Sequence, residues 1–251
     1  MRPTLSRVRI FAALAPLTLA QCATTQPQCP AATTPAMPHN QHTHQGQHGR
    51  HGEGFHRRFD DAQRWAQVFD DPARDAWQRP DEVIRWLALA PDARVADLGA
   101  GTGYFAARLA RAVPSGRVWA EDIEPTLVVH MQQRFVREGI ANAFATLGTA
   151  ESPLVPELVD LVLVVDTYHH ISDRPAFFQR IRERLRPSGR VVIVDFRMSA
   201  TMGPPAEHRL APAVVTQEMT EAGYTAGPAL DTLPNQYVLS FVANSQANPP
   251  R

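Results

Sequence analysis

Apolar positions change period repeatedly along the chain from about residue 60 onward. Asp60–Val68 and Asp81–Leu89 carry them at helical spacing: Trp65, Val68 and the adjoining Phe69 in the first stretch, Val83, Ile84, Trp86 and Leu87 in the second. A turn-rich connection, Phe69–Pro80, joins the two. Beyond it, short apolar runs predict strands at Arg94–Leu98, Arg117–Glu121, Ala143–Leu147, Val159–Val165, Arg190–Phe196 and Gln236–Val242. Helical periods alternate with them at Tyr104–Ala112, Glu124–Glu138, Arg174–Leu185 and Ala213–Ala222. Between Leu158 and Val165 only Asp160 is polar, the pattern of a strand covered on both faces. The fold class read from this is α/β, a doubly wound sheet with helices on either side.

The first 58 residues break the alternation. Arg2, Arg7 and Arg9 precede the apolar run Ile10–Ala20, which is the layout of a secretory signal. The run is shorter than the roughly 20 residues that span a bilayer. Leu19-Ala20-Gln21-Cys22 resembles a lipobox that would make Cys22 a lipid anchor at the membrane, with Gln21 where a small residue is usual; plain cleavage after Ala20 is the alternative. Residues 1–22 are therefore expected to direct the protein to a bacterial cell envelope, periplasmic or lipid-anchored, and a leader that does not act would leave it cytoplasmic. Residues 23–58 are rich in Pro, Gln and His with little to bury, so a disordered tether is expected. His39, His42, His44, His48, His51 and His56 fall in this stretch. Clustered imidazoles offer loose capture of Zn, Cu or Ni, against the plainer reading of a tether that merely contains histidines. No fixed metal site follows from their spacing.

Charge narrows the partners further. The chain carries 25 Lys+Arg against 25 Asp+Glu, with no basic block in its folded part, which disfavours nucleic acid and favours a small-molecule substrate. Cys22 and Cys29 both precede the folded part, so its core is held by packing alone.

The chemistry gathers where strands end. Val95-Ala-Asp97-Leu leads into Gly99-Ala100-Gly101-Thr-Gly103 and then directly into an apolar helix. Glycines there let backbone approach a ligand closely. A dinucleotide site would place a third glycine where Tyr104 stands, and an acid two residues before Gly99 suits an ammonium group better than a diphosphate. The second strand closes on Asp122, placed to accept both hydroxyls of a ribose, with Ile123 offering an apolar face to a base.

Together the glycine segment and Asp122 resemble the class I S-adenosylmethionine-dependent methyltransferases, over about Asp81 to Val242. The resemblance implies a Rossmann-like seven-stranded sheet, mostly parallel with an antiparallel last strand, and S-adenosylmethionine as cofactor. It makes residues 59–251 the methyltransferase domain, with Asp70, Asp71, Arg74, Trp77 and Gln78 in an N-terminal helical lid. Carried over by position, Asp97 meets the methionine amino group, Gly99, Ala100, Gly101 and Gly103 line the cofactor, and Asp122 with Ile123 takes the ribose and base. Thr149, Ala150 and Glu151 border the adenine, Thr149 standing where many relatives have Asp. Asp166 and Thr167 border the methionine end.

Tyr168, His169 and His170 form the expected catalytic edge, because imidazole titrates near neutrality and an acceptor that loses a proton needs a base. Asp195, Arg197, Glu207 and His208, after the fifth strand, are the expected substrate-binding groups. The segment after the fourth strand lacks the Asn/Asp-Pro-Pro-Tyr/Phe pattern of base-amine methylating enzymes. The expected function is methyl transfer to a small polar molecule. A nicotinamide-dependent oxidoreductase and a non-enzymatic envelope metal-binding or sensor protein stand as alternatives.

Overall fold

The structure, a computed structural model, describes residue 59 and residues 61–151 and 153–244. The leader, Cys22 and the histidine-rich tether of residues 1–58 lie outside the described residues. None of the described helices is long and apolar enough to cross a membrane.

In chain order the elements are α1 (Ala62–Phe69), α2 (Arg74–Gln78), α3 (Pro80–Leu87), β1 (Arg94–Leu98), α4 (Tyr104–Ala112), β2 (Arg117–Asp122), α5 (Pro125–Arg137) and β3 (Ala143–Leu147). There follow β4 (Val159–Val165), α6 (Arg174–Arg182), β5 (Leu185–Phe196), α7 (Pro212–Glu221), β6 (Tyr224–Leu230) and β7 (Gln236–Ala243). The strands form one seven-stranded sheet of order β3-β2-β1-β4-β5-β7-β6. All neighbours pair in parallel except β7, which runs antiparallel to both β5 and β6.

Side-chain alternation along the strands divides the core in two. Val95, Leu161, Leu163, Val192 and Val194 face α3, α4 and α5, whereas Ala96, Val162, Val164, Val191 and Ile193 face α6 and α7. Burying each of the Leu and Val side chains of β4 stabilises by about 1.5–3 kcal/mol, which explains why this central strand is apolar throughout its length. Asp160 is the exception, and it sits at the strand's start: it accepts from the Arg94 amide at 2.8 Å and pairs with Arg186 at 3.2 Å.

Three elements depart from the sequence expectation. The connection before α3 contains the short helix α2. Strand β5 begins at Leu185, ahead of the expected Arg190, so α6 ends at Arg182 instead of running to Leu185. The strand β6 was not predicted individually; most of its residues are exposed, and its register shifts between Ala226 and Ala229, around Gly227 and Pro228.

The chain reverses its crossover direction between β1 and β4. Open α/β sheets bind ligands in the crevice outside the carboxyl ends of strands at such a point. The glycine segment, Asp122, Asp166 and the histidines all follow the carboxyl ends of β1, β2 and β4.

Candidate active site

Gly99 joins the two loops that flank the crevice. Its φ is +69°, and a Cβ there would lie 2.8 Å from Thr167 Cβ. Thr167 in turn donates through Oγ1 to the Gly99 carbonyl at 3.3 Å and the Val165 carbonyl at 2.9 Å. Just before this turn lies Asp97, 2% exposed, with Oδ2 lacking any hydrogen-bond partner. Burial pushes its pKa up to about 7, with the charge of Arg74 pulling the other way. An orphaned carboxylate oxygen at that depth costs about 1–3 kcal/mol unless a donor arrives, so the site fits an ammonium ligand.

Asp122 is aimed by backbone. Its Oδ2 accepts from the Gly101 amide at 2.8 Å and its Oδ1 from the Glu124 amide at 2.9 Å. Each oxygen keeps a further lone pair for a diol. Burial raises its pKa, the two amides opposing that rise. Ala100 donates its amide to the Glu121 carbonyl at 2.8 Å, which sets the course of the loop. Ile123 projects beside Asp122 at 55% exposure. The Gly148 amide donates to the Asp122 carbonyl at 3.0 Å, so the loop that follows starts next to Asp122, and Thr149, Ala150 and Glu151 are exposed along it.

Asp166 begins the loop after β4 in a left-handed conformation, φ +52°. A non-glycine residue held there costs of order 1–3 kcal/mol and persists only where its surroundings fix it. Here they do: the carboxylate accepts from Gln78 Nε2 at 3.3 Å and from Gln236 Nε2, and it pairs with Arg74 at 3.6 Å. Burial lifts its pKa to about 6 against the pull of Arg74.

The next turn, Tyr168–His170, sends its side chains in three directions. His169 Nδ1 meets Asp195 Oδ1 at 2.9 Å and Oδ2 at 3.0 Å, and both residues are buried. Burial disfavours the charged imidazole, but the hydrogen bond to Asp195 and the charges of Asp195 and Asp166 outweigh it and raise the pKa. Asp195 also accepts the His169 and Phe196 amides. The expectation that Asp195 binds substrate is therefore corrected: its oxygens are occupied in orienting His169. Tyr168 is corrected likewise. It is fully buried on the opposite face, its hydroxyl donating to Glu218 Oε2 at 2.8 Å and its ring stacked on Phe178. His170 lies between His169 and the edge of Phe59.

Arg197, expected at the substrate, is bonded to a loop. Its guanidinium pairs with Asp231 and donates to the carbonyls of Asp231 and Leu233, tying the β6–β7 connection to the end of β5. Glu207 and His208 lie on a short turn, Ala206–His208, with Glu207 exposed. The neighbouring Arg209 donates to the carbonyls of Pro204, Met198, Ala200 and Met202, and so holds the loop after β5.

From the amino side α1 and α2 cover the crevice. Phe59, Trp65 and Phe69 form one ring cluster. A Cβ at Gly101 would lie 3.5 Å from the Phe69 ring, so this cluster sits on the glycine loop. Arg74 is held by Gln78 Oε1 at 2.6 Å and the Phe69 carbonyl at 2.8 Å. Tyr104, at the position of the missing third glycine, lies between the lid's Arg74 and Arg108 of its own helix, 4.1 and 4.0 Å from its ring centroid, and its hydroxyl bonds Asp75 of the lid. The sequence placed Arg74 and Gln78 in a lid without showing that they reach Asp166, and it gave no signal for Gln236.

This sheet order, with β7 alone reversed and an acid–glycine–acid sequence at its carboxyl edge, defines the class I methyltransferase fold. Residues 95–189 match the methyltransferase-domain family model. A solved S-adenosylmethionine-dependent methyltransferase from Aquifex aeolicus superposes with a TM-score of 0.67 at 22% identity, over 72% of this chain and 97% of that one. The chain is 28% identical over 115 residues to the ubiquinone/menaquinone biosynthesis C-methyltransferase of Cupriavidus taiwanensis, covering 45% of this chain and 47% of that protein. It is 38% identical over 117 residues to an uncharacterized methyltransferase of Mycobacterium tuberculosis, 46% and 44% of the two chains. The chain thus matches about half the length of these curated relatives. Magnesium protoporphyrin IX methyltransferase of Synechocystis, solved with S-adenosylhomocysteine and with S-adenosylmethionine bound, shares this fold at 17% and 18% identity with TM-scores of 0.58 and 0.56.

Proposed function

We propose that the protein transfers the methyl group of S-adenosylmethionine to a small polar acceptor that loses a proton as it reacts, with His169 as the base and Asp195 as its positioning residue. The observation that carries this reading is the buried His169–Asp195 pair at the carboxyl ends of β4 and β5, 2.9 Å apart. The cofactor supplies an electrophilic sulfonium methyl. Asp97 fits its ammonium group, Asp122 its ribose diol and Ile123 the face of its base. With Nδ1–H donating to Asp195, the neutral imidazole presents Nε2 as the acceptor of the proton. Nε2 would take the proton that the acceptor gives up on methylation, and Asp195 would stabilise the imidazolium that results. C-methyl transfer, the reaction in the name of the Cupriavidus relative, also releases a proton, so the pair serves oxygen, nitrogen, sulfur or activated carbon alike.

Screening polar acceptors for release of S-adenosylhomocysteine tests the reading. His169→Ala should lower kcat about 10²-fold or more while leaving the affinity for S-adenosylhomocysteine unchanged. His169 must be neutral to act, and its pKa is raised, so wild-type kcat should climb with pH through an inflection above the ordinary histidine value of about 6.5. Asp195→Asn should move that inflection to lower pH and reduce the plateau. Wild-type rates in His169→Ala, with a flat pH profile, would overturn the assignment.

A further inference from the structure

We infer that Arg74 supplies the cation for the carboxylate at the amino-acid end of the cofactor, so that the lid carries part of the cofactor site. The inference rests on S-adenosylmethionine being the cofactor. That end of the molecule bears an ammonium, a sulfonium and a carboxylate. The strand ends offer carboxylates there, Asp97 with an oxygen that lacks a partner and Asp166 already bonded to Gln78 and Gln236. The cofactor's carboxylate then needs a positive partner in a site otherwise lined with acids.

Arg74 is placed to be that partner. Its side chain is 12% exposed and lies 3.6 Å from Asp166, and its charge reaches Asp97. Hydrogen bonds to Gln78 and the Phe69 carbonyl use Nε and Nη1, and the ring of Tyr104 supports the guanidinium plane. Nη2 donates no hydrogen bond among the described residues; its one partner is Asp166, beyond hydrogen-bond length. A guanidinium has five N–H donors in a fork that suits a carboxylate, and three of them remain uncommitted. The neighbouring cations are spent: Arg108 donates to both oxygens of Asp75, and Arg134 to Asp70, Glu138 and the Thr102 carbonyl.

Calorimetry with two ligands tests this. One is S-adenosylhomocysteine; the other is its decarboxylated analogue, which keeps the ammonium and lacks the carboxylate. A charge-assisted pair in a buried site is worth about ten- to a hundred-fold in affinity, and the wild-type protein should prefer S-adenosylhomocysteine by that factor. Arg74→Gln should abolish the preference by weakening S-adenosylhomocysteine far more than the analogue, whose continued binding also shows that the variant is folded. Arg74→Lys should retain part of the preference. No preference in the wild type would overturn the inference without any variant, and so would equal weakening of both ligands by Arg74→Gln, the mark of a merely structural lid residue. A wild type that binds neither ligand would remove the cofactor assignment itself, an outcome distinct from binding both equally.

Discussion

Gly99 has no room for a side chain. An alanine there would take the left-handed backbone at about 1–2 kcal/mol and drive its methyl into Thr167, and overpacking of that kind costs about 1–3 kcal/mol more. Gly99→Ala should therefore lower stability by roughly 2–5 kcal/mol, measured by denaturant unfolding. Thr167→Ala leaves only Cβ in contact, so the double variant should recover part of the loss, and strictly additive effects would show that the two loops do not touch. At this scale the sequence was most informative where a residue's role follows from its place on a strand end. The positions of Asp97, Gly99, Asp122 and His169 beside the crevice were legible for that reason. Tyr168 was not, because consecutive residues of a tight turn radiate in different directions and adjacency to His169 says nothing of the face reached. Arg197 failed similarly: its partner Asp231 lies in a loop far along the chain.

Among the elements, apolar runs identified the parallel strands β1 to β5 and the reversed β7, each of which except the edge strand β3 is buried on at least one face. Strand β6 escaped because an edge strand with exposed side chains and a Gly-Pro irregularity has neither the alternation nor the hydrophobicity that marks a strand. The β3–β4 crossover holds a different surprise. No helix occurs among the described residues of 148–158, and the sheet face beneath carries Trp119 packed on Phe144 and the buried Glu121. Glu121 Oε2 and Thr146 Oγ1, on paired residues of β2 and β3, both lack partners. Burial lifts the Glu121 pKa to about 8, partly offset by the Leu154 amide. A carboxyl whose folded pKa is raised stabilises the fold fully below its unfolded value, near 4.5, and that stability is lost as pH rises towards 8. Glu121→Gln removes the charge, so it should raise stability by roughly 1–3 kcal/mol at pH 8 and change little at pH 4. Thermal unfolding at the two pH values decides, and a pH-independent difference would refute it. Asp97 and Asp166 titrate in the same window, so the difference between variant and wild type is the quantity to follow.

For the whole molecule, the central strands form a rigid floor and the segment from Ala62 to Gln78 a separate roof, fastened through Phe69 on the glycine loop and Arg74 at Asp166. The roof is held chiefly by polar contacts, since α1 has no buried residue and Gln78 is the one buried residue of α2, and segments with little buried apolar surface open at a fraction of the global unfolding free energy. S-adenosylhomocysteine should slow amide exchange across Ala62–Gln78 while leaving Leu161–Val164 unchanged, and Phe69→Ala should speed exchange of the same segment in the absence of ligand. Equal protection everywhere would mean that roof and floor open together. The loop after β5 is fastened in another way. Arg209 grips it through four backbone carbonyls, and a carbonyl is the same whatever side chain stands beside it. At those four points the loop is held without regard to its side chains, so exchange of Met198 or Met202 should leave the path of the chain intact, while Thr201, bonded to Asn235, and Gly203, at φ +93°, are the loop residues whose identity matters.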